Sequence, residues 1–382
     1  MKRIGSVLVA FGLAYFAYAQ RNAAEPFDLV FTGGRVVDGT GAPWFEADVA
    51  VRGGKIAAVG KLRGAPSRRT VDASGLVVAP GFIDLLGQSE YNVLVDPRCA
   101  SKVMDGITTE VTGEGDSIAP LNDAILKENE DVYRRYGVRP DWRTMAEYLA
   151  SLDRRGIGIN LGTLVGSGTV RTMVVGRENR RATPAELAKM EALVDQAMRD
   201  GALGVSSSLQ YIPNIYSSTD ELIALAKVAA RYGGAYFTHQ RSESGRIDAS
   251  MDEIFRIAGE AKIRTQIWHL KTAYRPNFGR MQAILKKIED ARARGIDVAA
   301  DQYPWDRASN GLDACLPPWS REGGRSALLK RLADPALRER IKADMAKESA
   351  DWENQYLGAG GPGGITVAEV LDPKLKKYEG KT

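Results

Sequence analysis

Residues 27–80 contain short apolar runs that alternate with turn residues. Six runs are each bounded by Gly, Asp or Pro: "FDLVFTGG", "RVVDGTG", "EADVAVRGG", "KIAAVG", "RTVDASG" and "LVVAPG". Short apolar segments with turn signals at both ends are typical of β-strands joined by tight turns. The pattern therefore predicts a small antiparallel sheet or β-sandwich in this part of the chain.

After Gly81 the pattern changes, and apolar strands alternate with segments of helical period. Strands are predicted near residues 82–86, 107–111, 157–164, 202–206, 235–239, 264–269 and 297–301. Residues 183–201 and 218–234 each begin with a Ser or Thr cap and end at glycine, and Ser218 with Glu221 predicts a capping box. Alternation of strands and helices at this spacing indicates a parallel sheet.

The seven strand–helix units favour a barrel, although a closed (β/α)8 barrel needs one more unit. A doubly wound open sheet is the competing architecture. No Gly-x-Gly-x-x-Gly follows the first strand of the series, and the candidate "GTGAPW" at residues 39–44 lies inside the β-rich segment, where it reads as a turn.

Composition and charge are those of an ordinary globular protein. The net charge of +4 is small for 382 residues, and acidic and basic residues interleave on the predicted helices, which argues against a nucleic-acid partner. The two cysteines, Cys99 and Cys315, are too few for a disulfide scaffold. We predict two buried free thiols.

A leader is predicted over residues 1–19. Two basic residues precede the apolar run at 4–17, and the small-x-small sequence "AYA" precedes Gln20. This arrangement is typical of a secretory signal peptide. An uncleaved membrane anchor is the alternative, although the run is short for a span. We predict export to the periplasm or the cell exterior, without stable membrane insertion after cleavage.

The chain contains only two histidines, and both fall at the carboxyl end of a predicted strand. His239 ends "AYFTH" and His269 ends "TQIWH". In a barrel, consecutive strand ends lie side by side on one face, so the two imidazoles would converge on one ion. The alternative is that each is a hydrogen-bonded histidine of the core or rim.

Two carboxylates are candidates to complete the site. Glu114 lies between glycines in "EVTGEGDSIAP", and Asp301 ends the seventh strand. Two histidines and one carboxylate suit zinc, with iron or manganese as alternatives, and leave a position for water. A loop carboxylate that makes only turn hydrogen bonds is the alternative role for Glu114.

Two cations follow the histidines closely. Arg241 lies two residues after His239, and Lys271 lies two residues after His269. Cations at a barrel mouth would hold a substrate carboxylate, and arginine does so through its bidentate fork. The alternative role for each is surface solubility.

Several ordered motifs resemble the amidohydrolase superfamily. The entry segment is "DLVFTGGRVVDGTGAPWFEADVAVRGGKIAAVG" followed by "DASGLVVAPGFID". The segments "GALGVSSSLQYIPNIYSSTDELIALAKVAARYGGAYFTHQRSE", "WHLKTA" and "DQYPW" resemble its N-acyl-D-amino-acid deacylase (D-aminoacylase) branch. The resemblance implies an α/β fold with a metal-dependent (β/α)8 barrel and a small β-sandwich, and hydrolysis of the amide bond of an N-acylated D-amino acid.

The resemblance also implies roles for individual residues. His239 and His269 match the histidine ligands of the fifth and sixth strands, and Glu114 matches the position of a cysteine ligand. Lys271 and Tyr303 match positions that help to hold the substrate carboxylate.

The chain departs from the family pattern at three further places. Leu86 and Gln88 stand where the first strand carries His-x-His, and Ser167 stands where a third-strand turn carries histidine. Because the His-x-His pair serves a second, weaker metal site, we expect one zinc ion per chain, held by Glu114, His239 and His269.

The third departure is at the C-terminus, where the family continues into an eighth strand whose aspartate is the general base. We expect the barrel to be incomplete at seven strands, poorly soluble and weakly active, with the base missing or supplied by Asp301.

The predicted organisation is a signal peptide at 1–19, an N-terminal β-sandwich at 20–80, and a metal-dependent hydrolase barrel at 81–382 that lacks its C-terminal part. The predicted substrate is a small acylated amino acid, bound by Lys271, Tyr303 and Arg241. The alternative is a degenerate, non-catalytic amidohydrolase homologue or an inactive truncated fragment. The sequence does not indicate the oligomeric state.

Overall fold

The structure, a computed structural model, describes residues 25–349 and 351–382. The predicted leader at 1–19 lies outside the described residues. The chain divides into two compact units after Gly81. No helix of the described residues is long and apolar enough to cross a membrane. Cys99 and Cys315 are both buried and free, as predicted.

The first unit, as far as it is described, contains one five-stranded sheet. Its strands are β1 (Leu29–Val36), β2 (Phe45–Arg52), β3 (Lys55–Gly60), β4 (Thr70–Asp72) and β5 (Val77–Val78). β1 pairs antiparallel with β2, and β2 pairs antiparallel with β3. β4 and β5 run parallel to β1, so the purely antiparallel pairing that the turn pattern predicts is wrong.

A double glycine explains why the first two apolar runs form one strand. The pattern predicts a turn at Gly33 and Gly34, but β1 continues through both residues, and its register with β2 shifts between Phe31 and Gly34. Gly33 has a φ of +71° and donates its N–H to the carboxylate of Asp48 at 2.8 Å. The glycines therefore accommodate a bulge within the strand instead of ending it.

Among its described residues, the second unit contains eight short strands, and every pairing between them is parallel. They are β6 (Phe82–Asp84), β7 (Ile107–Thr112), β8 (Asn160–Thr163), β9 (Val165–Gly166), β10 (Gly204–Ser208), β11 (Ala235–His239), β12 (Arg264–Ile267) and β13 (Val298–Ala300). One sheet has the order β6-β7-β8 and the other β9-β10-β11-β12-β13. The α/β class with parallel pairing is confirmed.

The strand order supports a barrel-type path. Only Leu164 separates β8 from β9, so the seven predicted strand positions follow one another in chain order through both sheets. A doubly wound sheet would show a reversal of strand order at a switch point. No such reversal occurs among the described strands of the second unit.

Helices connect the strands of the second unit and continue beyond β13. Those of the first half are α1 (Asn92–Val95), α2 (Ala100–Met104), α3 (Asp123–Glu128), α4 (Glu130–Tyr136), α5 (Met145–Arg155), α6 (Ser167–Val174) and α7 (Pro184–Arg199). The others are α8 (Thr219–Ala230), α9 (Ile247–Ala261), α10 (Met281–Ala293), α11 (Pro318–Arg321), α12 (Arg325–Ala333), α13 (Pro335–Met345) and α14 (Gln355–Gly358).

The capping box predicted at the start of α8 is only half formed. Ser218 accepts the N–H of Glu221 at 3.2 Å, as predicted. The Glu221 carboxylate does not return to the Ser218 backbone, because it forms a buried ion pair with Arg171 on α6 at 2.6 Å and accepts from the Ser217 hydroxyl. A buried charge gains more from an ionic partner than from a backbone amide at a helix end.

An apolar cluster lies beneath the carboxyl ends of several strands. Val111, Leu164 and Trp268 form its buried centre, and Leu86 packs against them. The Trp268 indole N–H donates to the carbonyl oxygen of Leu85 at 2.8 Å, which ties the end of β12 to the segment after β6. This cluster supports the loops that carry the candidate site.

Candidate metal centre

The three predicted ligands converge on one point. Glu114 lies two residues after β7, His239 is the last residue of β11, and His269 lies two residues after β12. One potential ligand atom from each side chain lies within 4.8 Å of the others. The carboxyl ends of parallel strands thus bring together residues that are 125 positions apart in the chain.

The distances within this triad match the spacing of ligands around one ion. Glu114 Oε1 lies 3.1 Å from His239 Nδ1 and 3.5 Å from His269 Nε2. Ligand atoms of a tetrahedral zinc lie about 3.4 Å apart when each bond is about 2.1 Å long. His239 is 5% exposed, and its Nε2 has no hydrogen-bond partner among the described residues. The donor set and its spacing fit a zinc ion.

The backbone at His269 is unusual. Its φ is +38°, a left-handed conformation that residues other than glycine rarely adopt. The His269 N–H donates to the carboxylate of Asp301 at 2.6 Å, and the other oxygen of that carboxylate accepts from Gln266 at 2.8 Å. β12 therefore ends before His269, earlier than the predicted strand, and the loop turns the imidazole towards Glu114.

Asp301, the candidate base, contacts the loop that carries His269. Both of its carboxylate oxygens accept hydrogen bonds, one from the backbone of His269 and one from Gln266. These contacts orient the loop that carries His269, and the role of Asp301 as the base stays a prediction.

Two glycines let the Glu114 loop approach neighbouring strands. A Cβ on Gly113 would lie 2.5 Å from the Leu164 carbonyl oxygen, and one on Gly115 would lie 2.5 Å from the Ser208 side chain. The Gly115 N–H also donates to the Ser206 hydroxyl at 3.0 Å. Glycine on both sides of Glu114 therefore allows this close approach.

Replacing Gly115 with alanine should lower both stability and metal affinity. The new Cβ would overlap Ser208, which should cost about 1–3 kcal/mol beyond the backbone strain. Gly137 is the matched control, because its φ of +65° is close to the +68° of Gly115 but open space surrounds it. Gly137→Ala should cost only the backbone strain of about 1–2 kcal/mol. Urea unfolding measures both, and equal losses would contradict the overlap.

The charges around the triad favour bound positive charge. Burial raises the pKa of Glu114, but hydrogen bonds from His239 and His269 outweigh it and hold that pKa below its usual value. Burial lowers the pKa of His269, but contacts with Glu114 and Glu243 raise it to about 9. Burial raises the pKa of Glu243, whereas the charges of His239, His269 and Lys271 lower it to about 2. Both carboxylates are therefore ionised at neutral pH.

Sequence reasoning missed Glu243. Its Oε1 lies 2.9 Å from His269 Nδ1 and accepts from Lys271 Nζ at 2.5 Å. The available signal was its position four residues after His239, in the loop that follows the same strand. That spacing predicts proximity to the site but does not predict a contact with a histidine on the next strand.

Lys271 and Tyr303 lie beside the triad. Lys271 Nζ is 3.0 Å from His269 Nδ1 and 5.3 Å from the centre of the Tyr303 ring. The rings of Tyr303 and His269 have centroids 6.2 Å apart. Lys271 therefore lies at the metal centre, as expected, but Glu243 already accounts for one of its three N–H donors.

Arg241 is directed to other partners. Its guanidinium donates twice to the Glu253 carboxylate, both at 2.9 Å, and to the carbonyl oxygens of Ile215 and Ser217. These contacts occupy the fork that would hold a carboxylate. Arg241 thus pairs with α9 in this structure, and its role in binding substrate stays a prediction.

Gln88 contacts the metal triad, whereas Leu86 does not. The Gln88 side-chain amide donates to Glu114 Oε2, the oxygen that does not face the histidines. Gln88 has a φ of +47°, and Glu90, two residues further along the chain, accepts from the Gly113 N–H at 2.8 Å. The segment after β6 therefore contacts the Glu114 loop through two hydrogen bonds. Leu86 belongs instead to the apolar cluster beneath that loop.

No protein-family model matches the chain. It is 39% identical over 290 residues to D-aminoacylase of Alcaligenes xylosoxydans xylosoxydans, covering 76% of this chain and 60% of that protein.

Solved structures give the same relationship. N-acyl-D-glutamate deacylase from Bordetella bronchiseptica, complexed with zinc and a phosphonate inhibitor, is 36% identical with a TM-score of 0.69, over 74% of this chain and 59% of that one. A D-aminoacylase described as having a binuclear metal centre is 37% identical with a TM-score of 0.68, over 73% and 59%. The chain spans about three-fifths of the length of the relatives it matches.

Proposed function

We propose that this chain hydrolyses the amide bond of an N-acyl-D-amino acid or a related non-peptide amide, as a member of the D-aminoacylase branch of the amidohydrolases. Its 39% identity to a D-aminoacylase over 76% of its own length supports this proposal. The observation that carries the proposal is the convergence of Glu114, His239 and His269. Glu114 Oε1 lies 3.1 Å from a ring nitrogen of His239 and 3.5 Å from one of His269, and one ligand atom of each side chain lies within 4.8 Å of the others. A related N-acyl-D-glutamate deacylase is complexed with zinc, which supports assigning a metal-binding role to these three side chains.

We assign one zinc ion to this triad. Glu114 has one carboxylate oxygen towards the histidines and the other against the Gln88 amide, so it offers one oxygen to an ion. Among the described residues no second group of histidine, cysteine and carboxylate ligands meets the same spacing. Both features favour one ion, although a related D-aminoacylase is described as binuclear.

The residues of the site would have separate roles in amide hydrolysis. Zinc at this position would polarise the amide carbonyl and acidify a bound water. Glu114, His239 and His269 hold the ion, and Asp301 keeps the His269 loop in place. Lys271, 22% exposed in its side chain, retains N–H donors for a substrate carboxylate, and Tyr303 lies beside it.

The proposal extends to architecture and location. The seven parallel strand positions would belong to a (β/α)8-type barrel, and the sheet within residues 20–80 to a small β-sandwich. We also propose that the protein is exported, because residues 1–19 resemble a signal peptide.

Hydrolysis of matched enantiomers tests the function directly. Purified protein should contain about one equivalent of zinc and release free amino acid from N-acetyl-D-amino acids, including N-acetyl-D-glutamate, but not from the L-enantiomers. A His239→Ala variant is the negative control. Zinc-loaded protein without activity on either enantiomer would instead support a degenerate, non-catalytic homologue, and protein that binds no zinc would reject the metal site as well.

A further inference from the structure

The two nitrogens of the His269 ring face two different carboxylates. Nε2 lies 3.5 Å from Glu114 Oε1, on the side of the metal triad, and Nδ1 lies 2.9 Å from Glu243 Oε1, on the opposite side. A neutral imidazole has one N–H and one acceptor nitrogen. A ring that donates from Nδ1 to Glu243 keeps Nε2 unprotonated, which is the state that binds a metal ion.

Glu243 is itself held in a fixed position. Its N–H donates to the carboxylate of Glu353 at 2.8 Å, and its carbonyl oxygen accepts the N–H of Ala273 at 2.7 Å. Its side chain is 9% exposed and also accepts from Lys271 Nζ. Glu243 is therefore a rigid acceptor, since its backbone is anchored on both sides and its carboxylate has an ionic partner.

The Asp301 contact does not determine the orientation of the ring. Asp301 binds the backbone N–H of His269 and so stabilises a left-handed residue, but rotation about the side-chain bonds of His269 remains. Among the described residues, Glu243 supplies the carboxylate at hydrogen-bond distance from Nδ1. Lys271 Nζ also lies 3.0 Å from Nδ1, but a protonated lysine only donates, so Glu243 is the partner that can accept an Nδ1 proton. Backbone and ring of His269 thus contact separate carboxylates.

We propose that Glu243 is a positioning residue that sets the tautomer and ring orientation of His269 and thereby the metal affinity of the site. This inference rests on the proposed metal centre. It assigns Glu243 a task beyond its ion pair with Lys271, because a purely structural pair would leave the histidine ring and the metal affinity unchanged.

The test compares three variants of the full chain. Glu243→Leu removes the acceptor at similar volume, and Glu243→Gln keeps an acceptor oxygen without the charge. Glu253→Gln is the matched control, since Glu253 is also a largely buried carboxylate paired with a cation, Arg241, but does not contact either histidine. Metal-free protein is titrated with zinc against a chromophoric chelator and with cobalt by absorption spectroscopy.

Glu243→Leu should weaken zinc binding about 10–100-fold, as expected for loss of a partner that orients a histidine ligand. The zinc affinity of Glu243→Gln should lie between those of Glu243→Leu and the parent, and the zinc affinity of Glu253→Gln should equal that of the parent. Labelling with 15N-histidine gives a second readout that is simple because the chain has two histidines. In the zinc-loaded parent, the Nδ1 proton of one histidine ring should exchange slowly with water. In the zinc-loaded Glu243→Leu variant, that proton should exchange rapidly.

The outcomes separate this inference from the proposed function. A parent protein that does not bind zinc overturns both. A parent that binds zinc with Glu243 variants of equal affinity and unchanged histidine spectra overturns the positioning role alone. If Glu243→Leu does not fold, the Gln variant decides through the same two measurements.

Discussion

Replacing Glu114 with glutamine is expected to abolish zinc binding and hydrolysis together. Glu114 supplies the anionic ligand of the triad, and its Oε1 faces both histidines. A neutral amide of the same shape removes that charge, and two histidines alone do not fix a metal geometry. Losing a residue that only orients a metal ligand weakens metal binding about 10–100-fold. Losing Glu114, which is itself a ligand, should weaken zinc binding by more than that.

Metal content and competitive chelation measure this effect, and Leu86→Ala is its control. Leu86 packs in the apolar cluster beneath the site and does not contact the triad, so zinc content should remain near that of the parent. A Glu114→Gln protein that retains full zinc occupancy would show that zinc binds at another site.

The largest expected loss of stability follows from Glu221→Gln. Glu221 and Arg171 are 4% and 0% exposed in their side chains, with 2.6 Å between the charged atoms. The change leaves the guanidinium buried without its anion, and breaking a buried pair in this way costs about 3–5 kcal/mol. Denaturant unfolding would report the difference as a lower midpoint.

The adjacent residue provides a control at the same separation. Asp220 also pairs with an arginine, Arg256, at 2.6 Å, but the side chains are 72% and 47% exposed. Asp220→Asn should therefore cost at most about 1 kcal/mol, because solvent screens an exposed pair. Similar losses for the two variants would show that burial does not distinguish the pairs.

The positions of the strands and ligands could be predicted because they depend on local pattern. The segment "AYFTH" was predicted as a strand over 235–239, and the structure has β11 at Ala235–His239. Once parallel pairing is inferred, residues at strand ends are expected to lie on one edge. This geometry places His239, His269 and Glu114 near one another, and the short loops after β7 and β12 complete the convergence.

The partners of long polar side chains could not be predicted, because they depend on the path of each loop. Arg241 and Lys271 both follow a histidine by two residues, yet Arg241 pairs with Glu253 on a helix and Lys271 pairs with Glu243 at the site. Spacing along the chain is the same in both cases. The direction taken by the backbone after the strand decides which carboxylate is near.

The sheet of the first unit is a second case in which the local sequence pattern does not determine the structure. The turn residues at Gly33 and Gly34 were read as a strand end, but glycine with positive φ is equally suited to a bulge inside a strand. Only the pairing of β1 with β2, which continues on both sides of the irregularity, distinguishes the two.

The ligands of the metal centre come from chain segments that are far apart, since several strands separate β7 from β11 and Glu114 and His239 are 125 positions apart in the chain. An unfolded chain cannot maintain this ligand set, so the ion would bind the native state almost exclusively. Zinc would then act as a thermodynamic cross-link: free ion at about 100-fold above its Kd adds about 2.7 kcal/mol to the free energy of unfolding. Resistance to heat and proteolysis would consequently depend on the supply of zinc.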